Sequence, residues 1–357
     1  ALAALRVIGF STDNEKVLNQ IYTAIEQNIG ITAWNIASFL DVGTLGLPNQ
    51  QLEKALEAEI HANTNLIFEL LSLAYDPKSI KHIRENIEVG STEGVSFAIE
   101  MLDLFIAEQL KGVLFPLLED NSLEQKFNEL ELHFAVNRSE GIEILNKIIN
   151  RSSNYLSNYT KACAIMGFIQ VEYGEVNQSL IANLFNPDPI IRETTALVMH
   201  KLDPQVLKDC MTRLSEEDRE EVEDFLENIK RDQFSHLFDK LSFLKNISFL
   251  ADLQFNELEE IALRLNRIVF EPNKVMLNPA DEDAVSMVYF IEEGEVVLES
   301  NAGKVQEFGP MDVIGEMMFL ETDKNEIKFR AVNKVTCFQI SRSEIYELIF
   351  QFPELAN

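Results

Sequence analysis

Phe308-Gly309-Pro310-Met311-Asp312-Val313-Ile314-Gly315-Glu316-Met317-Met318-Phe319-Leu320 lies in the middle of a C-terminal run of short, strand-like stretches. These cover 267–270, 274–277, 287–291, 294–299, 304–308, 328–332 and 335–340, with turn residues between them. Their alternation and their β-branched and aromatic content predict strands. About seven or eight short strands at this spacing predict a sandwich, barrel or jelly roll. An amphipathic helix over 253–265 precedes them, with Leu253, Phe255, Leu258, Ile261, Ala262 and Leu265 on one face. A helix over 343–350 closes the chain.

Upstream of about residue 247 the period changes from two to three and four. Leu66, Ile67, Phe68, Leu70, Leu71 and Leu73 form one such pattern; Phe97, Ile99, Met101, Leu102, Leu104 and Phe105 form another. Helix follows helix, broken at Asp76-Pro77, Val89-Gly90-Ser91-Thr92, Asn186-Pro187-Asp188-Pro189 and Leu202-Asp203-Pro204. Ser91-Thr92 and Asp203-Pro204 read as helix starts, with a capping side chain or Pro in the first turn. Two units about thirty residues apart, at 160–166 and 191–198, each place small residues inside an apolar helix after a polar turn. Asp188-Pro189-Ile190-Ile191-Arg192 with Ala196 resembles the HEAT repeat family, and 91–103 resembles it less closely. A helix pair cannot bury both faces alone, so the resemblance implies stacked neighbours; an irregular helical bundle is the alternative. The expected fold is multidomain, α then α+β: a HEAT-like α-solenoid over 1–231, then a β jelly roll with flanking helices over 232–357.

The 357 residues are 46% apolar and 25% charged, a globular composition. Lys+Arg number 30 and Asp+Glu 59, for a net charge of −29. A nucleic-acid partner is not expected, because phosphates need a basic surface, and an anionic lipid surface would repel the chain. No apolar run of about 18 residues is present, so no direct membrane insertion by this chain is expected. Cys163, Cys210 and Cys337 are too few and too far apart for a disulfide framework or a metal pattern. Reduced thiols in a cytoplasmic setting are the simplest expectation. Ala1-Leu2-Ala3-Ala4-Leu5-Arg6 lacks an initiator Met and reads like the end of a helix, so a piece of a longer protein is expected.

Residues 236–357 resemble the cyclic-nucleotide-binding domain family. The resemblance rests on 243–253, on Val288-Tyr289-Phe290-Ile291-Glu292-Glu293-Gly294-Glu295-Val296, which resembles the family's hairpin, and on 308–320, which resembles its phosphate-binding cassette. It implies a short helix offering backbone N–H groups to a cyclic phosphate, a Glu for the ribose 2′-hydroxyl and an Arg for the phosphate charge. Gly315 and Glu316 match the start of the cassette, with Met317 next to them, and Glu316 is placed to hold a ribose hydroxyl. Aligning Phe329-Arg330-Ala331 with the family's next strand puts the phosphate-Arg position at Asn325. Arg330 then falls on a strand position that does not hold phosphate. Lys324 beside it is a point charge without a bidentate fork. Family turn glycines stand here as Asn273, Ala280 and Met311; Asn accepts positive φ, Ala and Met poorly. Asp281, Glu282, Asp283, Glu321, Asp323 and Glu326 would repel an uncompensated phosphate. Gly315, Glu316, Met317, Lys324 and Asn325 are therefore the candidate ligand-binding residues. No cofactor is expected beyond a cyclic nucleotide or other nucleotide in this pocket.

Residues 61–78, 100–104 and 114–120 resemble the soluble tail of bacterial transporters of the ATP/ADP nucleotide-transporter family. In these a membrane domain precedes helical repeats and a cyclic-nucleotide-binding-like domain. That implies a cytosolic regulatory and interaction module whose partner is another protein or its own membrane domain. Two alternatives stay open: a ligand-free scaffold and a working cyclic-nucleotide sensor. No catalytic constellation emerges. The histidines are scattered, and neither a phosphate-cradling glycine loop nor a nucleophile elbow is present. Cys163 and Trp34 read as core, His61 with Glu59 as a surface pair, and 215–221 as a capped, solvated helix start.

Overall fold

A computed structural model describes residues 15–48, 50–172, 174–230, 236–250, 253, 255–277, 286–300, 303–315 and 327–352. The chain forms two compact units, one of Ala1–Asn183 with Val198–Val206, the other of Leu184–Leu197 with Leu207–Asn357.

Helices run in succession: α1 (Glu15–Gly43), α2 (Gln51–Ala74), α3 (Pro77–Val89), α4 (Thr92–Asp103), α5 (Glu108–Leu118), α6 (Leu123–Leu130), α7 (Ile142–Ile149) and α8 (Asn158–Gly167). Then come α9 (Gln178–Leu184), α10 (Pro189–Leu202), α11 (Pro204–Met211) and α12 (Glu216–Lys230). The sequence punctuation has its physical counterpart. Asp76 and Ser91 accept the N–H groups of Ser79 and Gly94 at the starts of α3 and α4. Asp188 and Asp203 accept those of Ile190 and Val206 at the starts of α10 and α11. Each cap satisfies donors that the helix itself leaves unpaired.

In the first unit α1 is the spine. Its 29 residues span about 43 Å at 1.5 Å per residue. Ile25, Ile29 and Ile36 are fully buried along one side. α1 packs on α2, α5, α6 and α7. α1 thus reaches beyond its nearest neighbours in the chain. Asp41, near the carbonyl end of α1, is buried at a place where the helix dipole disfavours an acid. It is held by Arg138, by the Ser139 N–H at 3.0 Å and by Lys147 at 3.5 Å. Glu59 turns to the Ser157 N–H at 3.0 Å and the Thr160 hydroxyl at 2.7 Å, while His61 is exposed. The expected Glu59–His61 surface pair therefore does not form: the Ser157 N–H and the Thr160 hydroxyl at the start of α8 take the carboxylate.

In the second unit, α13 (Leu237–Leu244) and α14 (Phe255–Arg264) lead into eight strands among the described residues, followed by α15 (Arg342–Gln351). The strands make two four-stranded antiparallel sheets. One is ordered β1 (Asn266–Phe270), β8 (Val335–Ser341), β3 (Met287–Glu293) and β6 (Val313–Ile314). The other is ordered β2 (Val275–Leu277), β7 (Ile327–Ala331), β4 (Val296–Ser300) and β5 (Gly303–Phe308). Leu277, Tyr289, Ile291, Val296, Ile314, Phe329 and Cys337, drawn from both sheets, share one core. Thr336, Phe338 and Ile340 alternate onto the other face of β8, where Phe338 meets Phe243 of α13 with ring centres 5.0 Å apart. α13 thus packs at the outer face of the first sheet, where α15 also meets β8.

Two carboxyls of this unit are held in an unusual state. Burial raises Glu193 to about 7, although it accepts the Leu237 N–H and faces Lys240 and Arg192. Burial, then the nearby carboxylates of Asp188 and Glu260, raise Glu259 to about 7. Both folded-state values lie above those of an unfolded chain, so the folded form binds more protons, and stability falls as pH rises through about 7. Each group should cost about 1 kcal/mol between pH 5.5 and 8 once solvent screening is allowed for. Urea midpoints should fall over that range in the wild type. They should stay nearly level when Glu193→Gln and Glu259→Gln are combined.

Candidate functional site

The segment chosen from sequence folds as a turn, a two-residue strand and a glycine corner. Gly309 to Asp312 form the turn: the Asp312 N–H bonds the Gly309 carbonyl at 3.1 Å, and the Asp312 carboxylate accepts the Gly309 N–H at 2.7 Å. Met311 sits at φ 73°, a left-handed conformation that its side chain disfavours. It is fixed there by its N–H to the Ile291 carbonyl at 2.9 Å, while the Ile291 N–H returns to the Asp312 carbonyl at 3.0 Å. β6 then pairs with β3, Tyr289 opposite Ile314 and Phe290 opposite Val313.

Gly315 ends the strand at φ 102°. A side chain here would bring a Cβ to 2.6 Å from the Met287 carbonyl oxygen, well inside contact distance. The Gly315 carbonyl accepts a hydrogen bond from Arg342 Nη2 at 2.8 Å. Arg342 opens α15, whose start is fixed by a reciprocal capping box between Ser341 and Glu344. The first residue of the last helix thus grips the peptide from which the cassette begins.

Of the five residues chosen from sequence, Gly315 is the one placed. Glu316, Met317, Lys324 and Asn325 lie outside the described residues, as do Ala280, the acidic groups at 281–283, and Glu321, Asp323 and Glu326. Arg330 is placed on β7. Its Nε pairs with Glu299 at 2.9 Å, and its Nη1 donates to the Asn273 carbonyl at 2.9 Å. Asn273, at φ 66°, occupies the turn that the family builds on glycine. The Arg330 fork is thus spent on a neighbouring strand and a turn. Cys337 is buried in the core, where burial pushes its thiol up to about 12; it stays protonated and is no nucleophile. No cluster of three or more metal-ligating side chains occurs among the described residues, and no described helix is long and apolar enough to cross a membrane.

Sequence reading missed Arg342. Its contact spans 27 residues of chain, and no local pattern announces it. The Ser341-to-Glu344 spacing would have fixed where α15 begins, and therefore that Arg342 is its first residue.

Residues 267–352 match the cyclic nucleotide-binding domain family. The match does not extend to the helices before them. Similar solved structures include the regulatory subunit of a cAMP-independent protein kinase A from Trypanosoma brucei, at 29% identity and a TM-score of 0.28, over 30% of this chain and 39% of that one. Another is the corresponding subunit from Trypanosoma cruzi bound to guanosine, at 26% identity and a TM-score of 0.29, over 32% of this chain and 41% of that one. A third is a cyclic nucleotide-binding-like protein from Brucella abortus, at 20% identity and a TM-score of 0.26, over 31% of this chain and 97% of that one. The chain thus spans about two fifths of the length of the first two. No curated protein matches the chain.

The two special backbone positions make opposite predictions. Met311→Gly removes a left-handed strain and should raise stability by about 1 kcal/mol. Gly315→Ala forces the strand end away from Met287 and should lower stability by roughly 2–4 kcal/mol. Thermal melts of the two variants beside the wild type read both.

Proposed function

Given a cyclic nucleotide-binding domain at residues 267–352, we propose that this chain is a non-enzymatic regulatory and interaction module. In this reading the domain has lost the charge pairing that holds a cyclic phosphate. The observation that carries the reading is the commitment of Arg330 to Glu299 and to the Asn273 carbonyl. With Asn325 at the position aligned with the phosphate-pairing Arg, the sequence offers no guanidinium at that position to neutralise the ligand's charge. The chain's −29 net charge acts in the same direction, since a bound anion needs local compensation.

The helices before the domain belong to the same reading. The Asp188-to-Ala196 segment carries the HEAT-like pattern, and in it Arg192 does a structural job. It is buried, donates to the Asn186 carbonyl at 3.0 Å, and pairs with Glu221 and Asp218 in the first turns of α12. A turn is thereby locked to a following helix by one Arg, which is how adjoining helical pairs are held in register. We assign the array a protein partner or its own membrane domain as the soluble, cytoplasmic part of a transporter. This assignment rests on the resemblance of 61–78, 100–104 and 114–120.

A second reading has one observation in its favour. Gly315 keeps the positive-φ corner at the start of the segment that resembles the cassette, and Arg342 holds its carbonyl, an arrangement that favours a retained pocket beside it. A different small ligand would then occupy it.

Calorimetry with cyclic AMP, cyclic GMP, ATP and ADP separates these readings. No saturable heat with either cyclic nucleotide is expected. Micromolar binding of one of them, lost in Glu316→Ala, would establish a working sensor and overturn the proposal. Binding of ATP or ADP alone would support the second reading.

A further inference from the structure

Several basic side chains of this protein are spent inside it. Lys126 donates to the Leu117 carbonyl at 2.8 Å, and Lys147 to the Asn137 carbonyl at 2.7 Å. Arg138 is paired with Asp41 and lies 3.7 Å from Glu124. Arg151 is used differently. It follows the carbonyl end of α7, and its guanidinium lies over two aromatic rings, 4.3 Å from the centre of Trp34 and 5.1 Å from that of Tyr155. Its side chain makes no hydrogen bond or ion pair with the described residues. Nε is the one of its three nitrogens shut away from solvent, so both Nη groups reach water with their donors unspent.

We propose that Arg151 is a recognition point for a glutamate or aspartate side chain on an acidic segment of a partner protein. Three features carry this. First, the two rings hold the guanidinium in place, so little rotamer entropy is left to lose when its terminal N–H pair meets a carboxylate. Second, the charge matches one carboxylate. Lys147 also lies over Trp34, at 5.3 Å, but its ammonium is already held by the Asn137 carbonyl and Asp41. One open fork with no second free cation suits a monoanion better than a phosphate dianion. Third, the Tyr155 ring is 48% exposed and gives apolar contact area beside the charge. Arg, Trp and Tyr are the residues that concentrate binding energy at protein interfaces. The net charge of −29 does not forbid an acidic partner here, because at physiological ionic strength charges beyond about 8 Å are largely screened.

Trp34 is the chain's single tryptophan, so its fluorescence reports on Arg151 directly. The probes are a blocked decapeptide of Glu and Leu, its Gln-and-Leu counterpart, and sodium phosphate, each titrated into the full chain at constant ionic strength. The Glu peptide should give a saturable change in Trp34 emission, and the Gln peptide should bind about tenfold more weakly or not at all. Arg151→Lys keeps the charge but loses the fork, and should weaken the Glu peptide about tenfold. Where that variant fails to fold, Tyr155→Leu, at a half-exposed position, should weaken it several-fold. Equal binding of the Glu and Gln peptides, an unchanged titration in the folded variant, or no saturable change in the wild type would overturn the proposal. A saturable response to phosphate with none to the peptide would overturn it as well.

Discussion

The carbonyl of Gly315 is where three parts of the C-terminal domain meet. β6 ends there against β3, the chain turns there into the cassette, and Arg342 reaches it from the start of α15. The meeting requires a residue without a side chain, because the Met287 carbonyl occupies the space that a Cβ would need. Met287 is in turn the register partner of Ser341, the residue that caps α15. Strand pairing therefore brings the helix start and the glycine corner together, and the Arg342 hydrogen bond joins them. A displacement of the Gly315 carbonyl would reach the first turn of α15 through the Arg342 hydrogen bond. Such a shift needs a ligand with different affinity for two arrangements of that bond.

Beside that corner, the Arg of the neighbouring strand does structural work. Arg330 stabilises the contact of β7 with Glu299 on β4 and satisfies the carbonyl of Asn273 in the turn before β2. Asn273 and Met311 both hold positive φ. The backbone path of a glycine-built fold is thus retained while its glycines are gone, and at Met311 the strain is borne by hydrogen bonds to Ile291 on either side of the peptide. A shape kept against local strain is one the core demands: Ile291 and Ile314, the neighbours of this turn, both lie in the shared interior of the two sheets.

Much of this was legible in the sequence where the signal is local. Asp76, Ser91, Asp188 and Asp203 act as caps because a short acceptor before a helix satisfies its free N–H groups wherever the helix packs. The strands follow the alternation of their residues to within a residue or two. β6 was not seen as a strand because two residues, Val313 and Ile314, carry no period. The turn positions Asn273 and Met311 were visible as departures from glycine, and the structure gives both the positive φ that glycine accommodates. What could not be read is pairing between distant residues. The period of α1 announces a helix, but not that α5, α6 and α7 would all pack on it. Glu59 lies two residues from His61 and nearly a hundred from Ser157, yet the free N–H of Ser157 and the hydroxyl of Thr160 hold it. Arg342 is the same case at the candidate site.

A chain with 30 basic and 59 acidic residues has to ration its cations, and the structure shows where they go. Lys126, Lys147, Lys240, Arg192, Arg330 and Arg342 each donate to a backbone carbonyl, of Leu117, Asn137, Leu265, Asn186, Asn273 and Gly315 in turn. Several of these carbonyls lie at the ends of helices or strands, where the ladder offers no donor and an unpaired acceptor would be costly to bury. Burial draws the Lys126, Lys147 and Lys240 ammonium groups below their ordinary range, the mark of cations taken out of water for structural use. The acidic excess is thereby left to the surface, as along the first turns of α12. Against that pattern Arg151 stands out on physical grounds. It is stacked and partly desolvated like the others, but no carbonyl or carboxylate of the described residues meets its guanidinium. A cation withdrawn from water without an internal acceptor is stabilised by the two rings beneath it, and its unspent donors are the part of it left to meet another molecule.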